Sequence, residues 1–322
     1  MKTCSDPAAP ALRRYSLHGA TMGTRYSAVF YACQPLALAP LGASLFAAVD
    51  QVDRQMSTWN PASDLCRLNG APVDTWVAVP APLAQVLAAG LLVGRQSNGA
   101  FDMGVGQLVE DWGFGPAQQA PSPQRAALHG AAYHPAGEAL ELDQAGRRVR
   151  KLAPVALDLS GIAKGYGVDR LAHCLDGWGI ERYLVGIDGE MRARSEKPDG
   201  GAWTVAIEKP AYGRREVGGV MELHDTAIAT SGDYRRWVDV AGTRYAHTMH
   251  PGLRQPVANR LAAVSVLAPT CMLADAWATA LMVLGPADGV ALARERGMDA
   301  LFVLRDGDRL EEILVAEGRA LG

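Results

Sequence analysis

The stretch Leu157 to Ala172, LDLSGIAKGYGVDRLA, constrains this chain more than any other. Val155, Ala156 and Leu157 read as a strand end. Asp158 and Ser160, both good helix N-cap types, follow. Gly161, Gly165 and Gly167 keep the start of a helix free of bulk, and Lys164 falls within its first turns. Free backbone N–H groups at a helix start, glycines that permit close approach and a nearby ammonium suit an anionic group, most often a phosphate. The spacing is neither that of a P-loop nor that of a dinucleotide fingerprint. A glycine-lightened helix packed tightly on a sheet describes the same residues, and the stretch alone leaves both readings open.

A chain of 322 residues, 49% of them hydrophobic, can bury the core of one large domain or two interlocked ones. Its net charge of −3 and the absence of a Lys/Arg run argue against a nucleic-acid surface. Cys4, Cys33, Cys66, Cys174 and Cys271 are scattered without a C-x-x-C, so inert thiols are expected in place of a disulfide framework or zinc site. No membrane span is expected, since no run of about 18 apolar residues stands out. MKTCSDPAAP lacks the apolar core of a signal peptide. The expected compartment is therefore the cytoplasm, or the periplasm if an export signal has been trimmed.

Residues 1–14, rich in Pro, Ala and Arg, are expected to be loose. Met22-Gly23-Thr24 precedes a strand, Thr24 to Tyr31, where Gly23 allows either a close backbone approach or a simple turn. Leu36 to Met56 and Pro82 to Gln96 read as helices from their apolar spacing. Trp59 lies in a polar loop, where it either covers core or stacks on a ligand ring. Gly99 to Gly106 combines glycines with Asp102, as a binding loop or a structural turn would. Ala139 to Val155 alternates as a hairpin. Strands are expected at Tyr183–Ile187, Trp203–Ile207, Ala227–Tyr234, Arg244–Met249 (carrying His247) and Leu261–Leu267. Thr270 should cap a helix that ends at Gly285-Pro286. On it, Asp275 and Thr279 are four apart and share a face among alanines, which suits either a hard cation held by oxygens or a plain polar face. Beyond Ala287 the tail reads as a helix, a strand at Ala300 to Leu304, then a strand or helix. The mixture points to an α+β fold with mixed or antiparallel sheets and flanking helices.

Taken together and in order, the pieces MGT, STWNPASDLCRLN, GAFDMGVGQLVEDWGFG, LDLSGIAKGYGVD, IATSGDYRRW, HTMHP and ADAWATALMVLG resemble the ApbE family of flavin transferases over Met22 to Gly285. The resemblance implies a single ApbE-like domain over 15–322, with FAD held between two interlocked lobes. It implies Mg²⁺-dependent transfer of FMN from FAD to a threonine or serine hydroxyl of an acceptor flavoprotein, with release of AMP. FAD pyrophosphatase activity and non-catalytic FAD binding are the alternatives. By the same resemblance Met22, Trp59, Ala100, Phe101, Asp102, Asp158, Lys164 and His247 contact FAD. Asp275 and Thr279 ligate Mg²⁺ through side chains, Gly161 and Ala278 through carbonyls. Lys164 and His247 serve the chemistry, His247 as the base. Two positions depart from the family pattern: His250 replaces the aspartate of H-x-x-D-P, and Asp188 replaces a glycine before Gly189-Glu190.

Overall fold

A computed structural model of the chain describes residues 12–321 apart from 34, 308 and 318. Its centre is a nine-stranded sheet: β1 (Arg13–Thr21), β2 (Thr24–Ala32), β3 (Arg182–Ile187), β4 (Glu190–Arg194), β5 (Ala227–Gly232), β6 (Leu261–Ala268), β7 (Asp299–Asp306), β8 (Arg309–Ala316) and β9 (Arg319–Leu321). Strands lie side by side in chain order and every adjacent pair is antiparallel. In β2, Tyr26, Ala28, Phe30 and Ala32 face the core on alternate positions, the period of a half-buried strand. Arg13 and Arg14, expected to be loose, pair with Ala32 and Tyr31 because the ladder extends β1 that far; residues 1–11 lie outside the described residues.

Four long helices organise the rest: α1 (Leu38–Met56), α2 (Ala81–Gln96), α3 (Ala163–Gly177) and α4 (Cys271–Glu295). Both α3 and α4 pack on the sheet and against each other, and α1 covers α3. Leu41, Leu45 and Val49 of α1 share one buried cluster with Val168, Leu171 and Leu175 of α3 and Phe30, Val185 and Ile187 of the sheet. A second cluster runs from Leu83 and Leu87 of α2 through Phe101 and Leu157 to Leu281 and Phe302. The expected 139–155 hairpin pairs Leu140–Asp143 with Arg148–Lys151, and Trp76–Ala78 adds a third strand. The ribbon of Trp203–Glu208 and Val217–Leu223 supplies Trp203, Val205 and Leu223 to a cluster with Val29 and Leu184 of the sheet.

Several local expectations are corrected. Gly285, at φ 78°, leaves helical geometry where the end was placed, but Pro286 restarts the helix, as a first-turn proline can. The expected strand at 244–249 is split into Thr243–Ala246 and Met249–His250, with His247 between them. The tail agrees with its expected helix and strand: it completes α4 to Glu295 and then forms β7, β8 and β9. By length and composition α4 is apolar enough to cross a bilayer, contrary to the expectation that no such run exists, yet most of that stretch is buried within the protein. Cys66, Cys174 and Cys271 are free, whereas Cys33 is disulfide-bonded. Scattered spacing did not reveal that bond, because pairing is set by proximity in space.

Two hairpin tips stand at one end of the sheet. Met22 (φ 46°) and Gly23 (φ 70°) join β1 to β2; Asp188 (φ 49°) and Gly189 (φ 110°) join β3 to β4. Two-residue turns between right-twisted strands favour this left-handed backbone, and Asp tolerates it better than most side chains. The Asp188 departure is thus accommodated in place.

The helix starts were misread in one respect. Neither Asp158 nor Ser160 caps α3; Asp158 Oδ1 accepts from Ser160 N at 2.8 Å instead. The cap comes from α4, whose Asp275 Oδ2 accepts from Gly165 N at 2.9 Å. In return, Asp169 of α3 accepts from Cys271 N (3.0 Å) and Met272 N (2.9 Å) at the start of α4, beside the expected Thr270 cap. Each helix therefore ends on a carboxylate of the other. Gly165 permits the crossing: a Cβ there would stand 2.2 Å from the Cys271 carbonyl oxygen.

Candidate functional site

The α3–α4 crossing and the ends of β4 and β5 gather most of the expected site residues. Lys164 Nζ lies 2.6 Å from Glu190 Oε1, the first residue of β4. Glu190 is 3% and Asp275 5% exposed. Burial lowers the pKa of Lys164, but Glu190 and Asp275 outweigh it and hold the ammonium above the ordinary range. Burial and then Glu190 push the Asp275 carboxyl up to about 7. Glu190 Oε2 is buried with no hydrogen-bond partner among the described residues.

Thr279, one turn beyond Asp275, bonds Ser231 Oγ of β5 at 3.0 Å. A Cβ on Gly161 would stand 2.9 Å from Thr279 Oγ1, so only glycine lets this loop approach α4 so closely. Ala278 is fully buried beside it. Among the described residues no three His, Cys, Asp or Glu side chains converge as a metal site. One carboxylate, one hydroxyl and nearby main-chain carbonyls nonetheless make an oxygen-only donor set. With an unpartnered carboxylate oxygen and a raised carboxyl alongside, the surroundings fit a hard divalent cation.

His247 donates its main-chain N–H to Arg236 O at 3.2 Å and sets its ring edge-on to Phe114 at 6.2 Å. Burial, then Lys164 and Arg236, push its imidazole down to about 4, so it is neutral at neutral pH. Its Nδ1 is buried without a hydrogen-bond partner among the described residues.

Met22 reaches over α3: a Cβ on Gly167 would meet Met22 Cε at 3.0 Å and Ile187 Cδ1 at 2.9 Å. Phe101 is buried and borders Gly161. Asp102 spends its carboxylate on Gly104 N (2.7 Å), Ala136 N (3.0 Å) and Tyr133 OH (2.6 Å), so it ties its loop to residues 133–136. Burial raises its pKa from the ordinary carboxylate value, against the lowering effect of these bonds. Ala100, Phe101 and Asp102 line a cavity of about 550 Å³ together with Arg95, Tyr133, Glu138, His250 and Arg254. Lys164, His247 and Asp275 do not line it, so the expected residues fall into two adjoining groups. Asp158 links them, through its N–H to Met103 O at 2.8 Å.

Trp59 is 51% exposed, and no ring or cation contact engages its indole among the described residues. His250 Nδ1 accepts from Leu253 N at 3.3 Å. An aspartate before proline closes a turn by the same kind of bond, so the histidine preserves that role here. Sequence reasoning did not single out Asp169, Ser231 or Arg236, nor assign Glu190 its partner. Ser231 and Arg236 lie within quoted motifs, but nothing in their spacing connects them to Thr279 or His247.

The model of the ApbE family matches residues 22–302. A relative in Vibrio cholerae named FAD:protein FMN transferase is 37% identical over 96% of this chain and 92% of its own length. One of the same name in Klebsiella pneumoniae is 33% identical over 95% and 89%. Among solved structures, the flavin transferase ApbE of Vibrio cholerae superposes with a TM-score of 0.84 at 35% identity, covering 94% of this chain and 97% of that one. The apo form of the Pseudomonas stutzeri flavinyl transferase ApbE gives 0.84 at 35% identity, covering 95% and 96%.

Proposed function

This chain belongs to the ApbE family, and from that premise we propose that it transfers FMN from FAD to a threonine or serine hydroxyl of an acceptor protein, releasing AMP. The observation that supports this most is the charged Lys164, held by Glu190 at a helix N-terminus close enough to the neutral His247 to depress its pKa. That is a place to neutralise a pyrophosphate beside a place to accept a proton.

In this reading the acceptor hydroxyl attacks the phosphorus on the flavin side of the pyrophosphate. A new P–O ester bond forms, the bond to the AMP phosphate breaks, and AMP leaves. The hydroxyl proton passes to His247; with Nδ1 buried, Nε2 is the nitrogen presented to the substrate. A base that is already neutral near pH 7 needs no prior deprotonation. The Lys164 ammonium stabilises charge on the phosphates. Mg²⁺ would be held by Asp275, Thr279 and the carbonyls of Gly161 and Ala278, where it supplies charge neutralisation at the pyrophosphate. Phe101, Met22 and Trp59 supply apolar surface to hold the flavin nucleotide.

The test is incubation with FAD, Mg²⁺ and an acceptor protein bearing the target threonine. Stoichiometric AMP and a covalently flavinylated acceptor support transfer. Free FMN and AMP with no labelled protein would leave hydrolysis as the activity, and bound FAD without AMP would leave binding alone.

A further inference from the structure

The motif from Ser57 to Asn69 enters the function above only through Trp59, yet its far end is the more constrained. Ser63, fully buried, caps the helix Asp64–Gly70 by accepting from Cys66 N at 3.0 Å, and ties back to Ser57 O at 2.7 Å. Near the other end of that helix, Asn69 Nδ2 donates to Leu157 O at 2.9 Å while its Oδ1 accepts from Leu157 N at 2.8 Å. One side-chain amide thereby serves both main-chain groups of a residue 88 positions away, as a neighbouring strand would. The Asn69 main-chain carbonyl is held in turn by Lys151 Nζ at 2.6 Å. Lys151 is 6% exposed and has no carboxylate partner among the described residues.

Leu157 is the last residue before the segment that carries Asp158, Gly161 and Lys164. On either side of it the chain is fixed to residues 103–106: Gly106 N donates to Ala156 O at 3.0 Å and Asp158 N to Met103 O at 2.8 Å. The amide is thus the tie to the opposite flank. Without it, Leu157 keeps its hold on the 103–106 flank only, and the start of the close approach of Gly161 to Thr279 is fixed from one side.

Resting on the flavin-transferase reading, we propose that Asn69 is a positioning residue, whose amide clamp on Leu157 sets the nucleotide-binding segment 158–164 for FAD. It touches no reacting atom and acts through Leu157.

The test compares the natural chain with Asn69→Asp, which keeps size but turns one donor into a repelling oxygen, and with Asn69→Ser, which is too short to bridge. Hydrogen exchange of the peptide spanning 157–165 reads the clamp without FAD. Steady-state AMP release reads its consequence. Exchange in 157–165 should speed up about tenfold while α1 and β6 stay as protected as before, the scale of losing one hydrogen bond. KM for FAD should rise about tenfold with kcat held within about twofold, because the clamp serves ground and transition states alike. Unchanged exchange in 157–165 in both variants, or a fall in kcat with KM unmoved, overturns the proposal. A natural chain that neither binds FAD nor releases AMP, but whose variants lose protection at 157–165, would remove the flavin reading and leave the clamp standing.

Discussion

At the scale of single residues, two imidazoles, His247 and His250, sit in different surroundings. His247 is neutral because burial and two cations disfavour its charged form. In the free enzyme, kcat/KM for FAD should therefore keep its histidine limb near pH 4, not near 6.5; a limb at 6.5 would place the base elsewhere. The same depression has a stability consequence. The unfolded chain binds a proton at this histidine that the folded chain refuses, so its contribution is complete above about pH 6.5 and lost as pH falls toward 4. His247→Asn should lower transfer by about 10²- to 10⁴-fold while FAD titration shows unchanged affinity. His250 supplies a turn bond that aspartate supplies as well. His250→Asp should accordingly change AMP release by no more than about twofold, and a large gain would show that the histidine had impaired the natural chain. At this scale the residue types were legible and their partners were not. Lys164, Asp275 and Thr279 announced themselves by chemistry and spacing. That Asp275 gives one oxygen to Gly165 N, or that Asp102 is consumed by Tyr133 and Ala136, depends on residues distant in sequence.

At the scale of elements, the glycines of the central stretch answer to packing. Gly165 faces the Cys271 carbonyl and Gly167 faces Ile187 and Met22. Gly165→Ala should cost about 1–3 kcal/mol or more by urea unfolding, since backbone on both sides must move. Gly177→Ala, at the last position of the same helix with open space around it, should be neutral or stabilise by up to about 1 kcal/mol. Equal losses at the two positions would contradict the crossing. Helices α1 and α2 and most strands were legible because their apolar periods are regular. The cap of α3 was not, because the residue that provides it is 110 positions away. Gly285-Pro286 carries every mark of a helix stop, and the chain resumes its helix only because the buried residues that follow, Gly289, Val290 and Ala293, continue the packing.

At the scale of the whole molecule, the antiparallel sheet holds the two hairpin tips and the ends of β4 and β5 around the α3–α4 crossing. Ligands that bridge these parts should stabilise the fold as a unit. FAD with Mg²⁺ at about a hundred times its dissociation constant should add about 2.7 kcal/mol, seen as a rise in Tm that a chelator reduces. His247→Asn should keep that rise, and Lys164→Met should lose most of it. A Tm indifferent to FAD in the natural chain would contradict nucleotide binding altogether. The α+β class followed from the mixture of element types. The strictly sequential strand order did not, since short apolar runs carry no label of their neighbours.

The exchange of carboxylates between α3 and α4 bears on the order of events during synthesis. A ribosome delivers α3 about a hundred residues before Asp275, so the nascent helix starts with an unfinished N-terminus that its own sequence cannot complete. The Lys164 segment reaches its working form only once α4 has emerged and docked. A chain interrupted before Cys271 would carry the whole LDLSGIAKGYGVD signature and still leave the α3 start without its cap, so the finished crossing waits on roughly the last sixth of the protein.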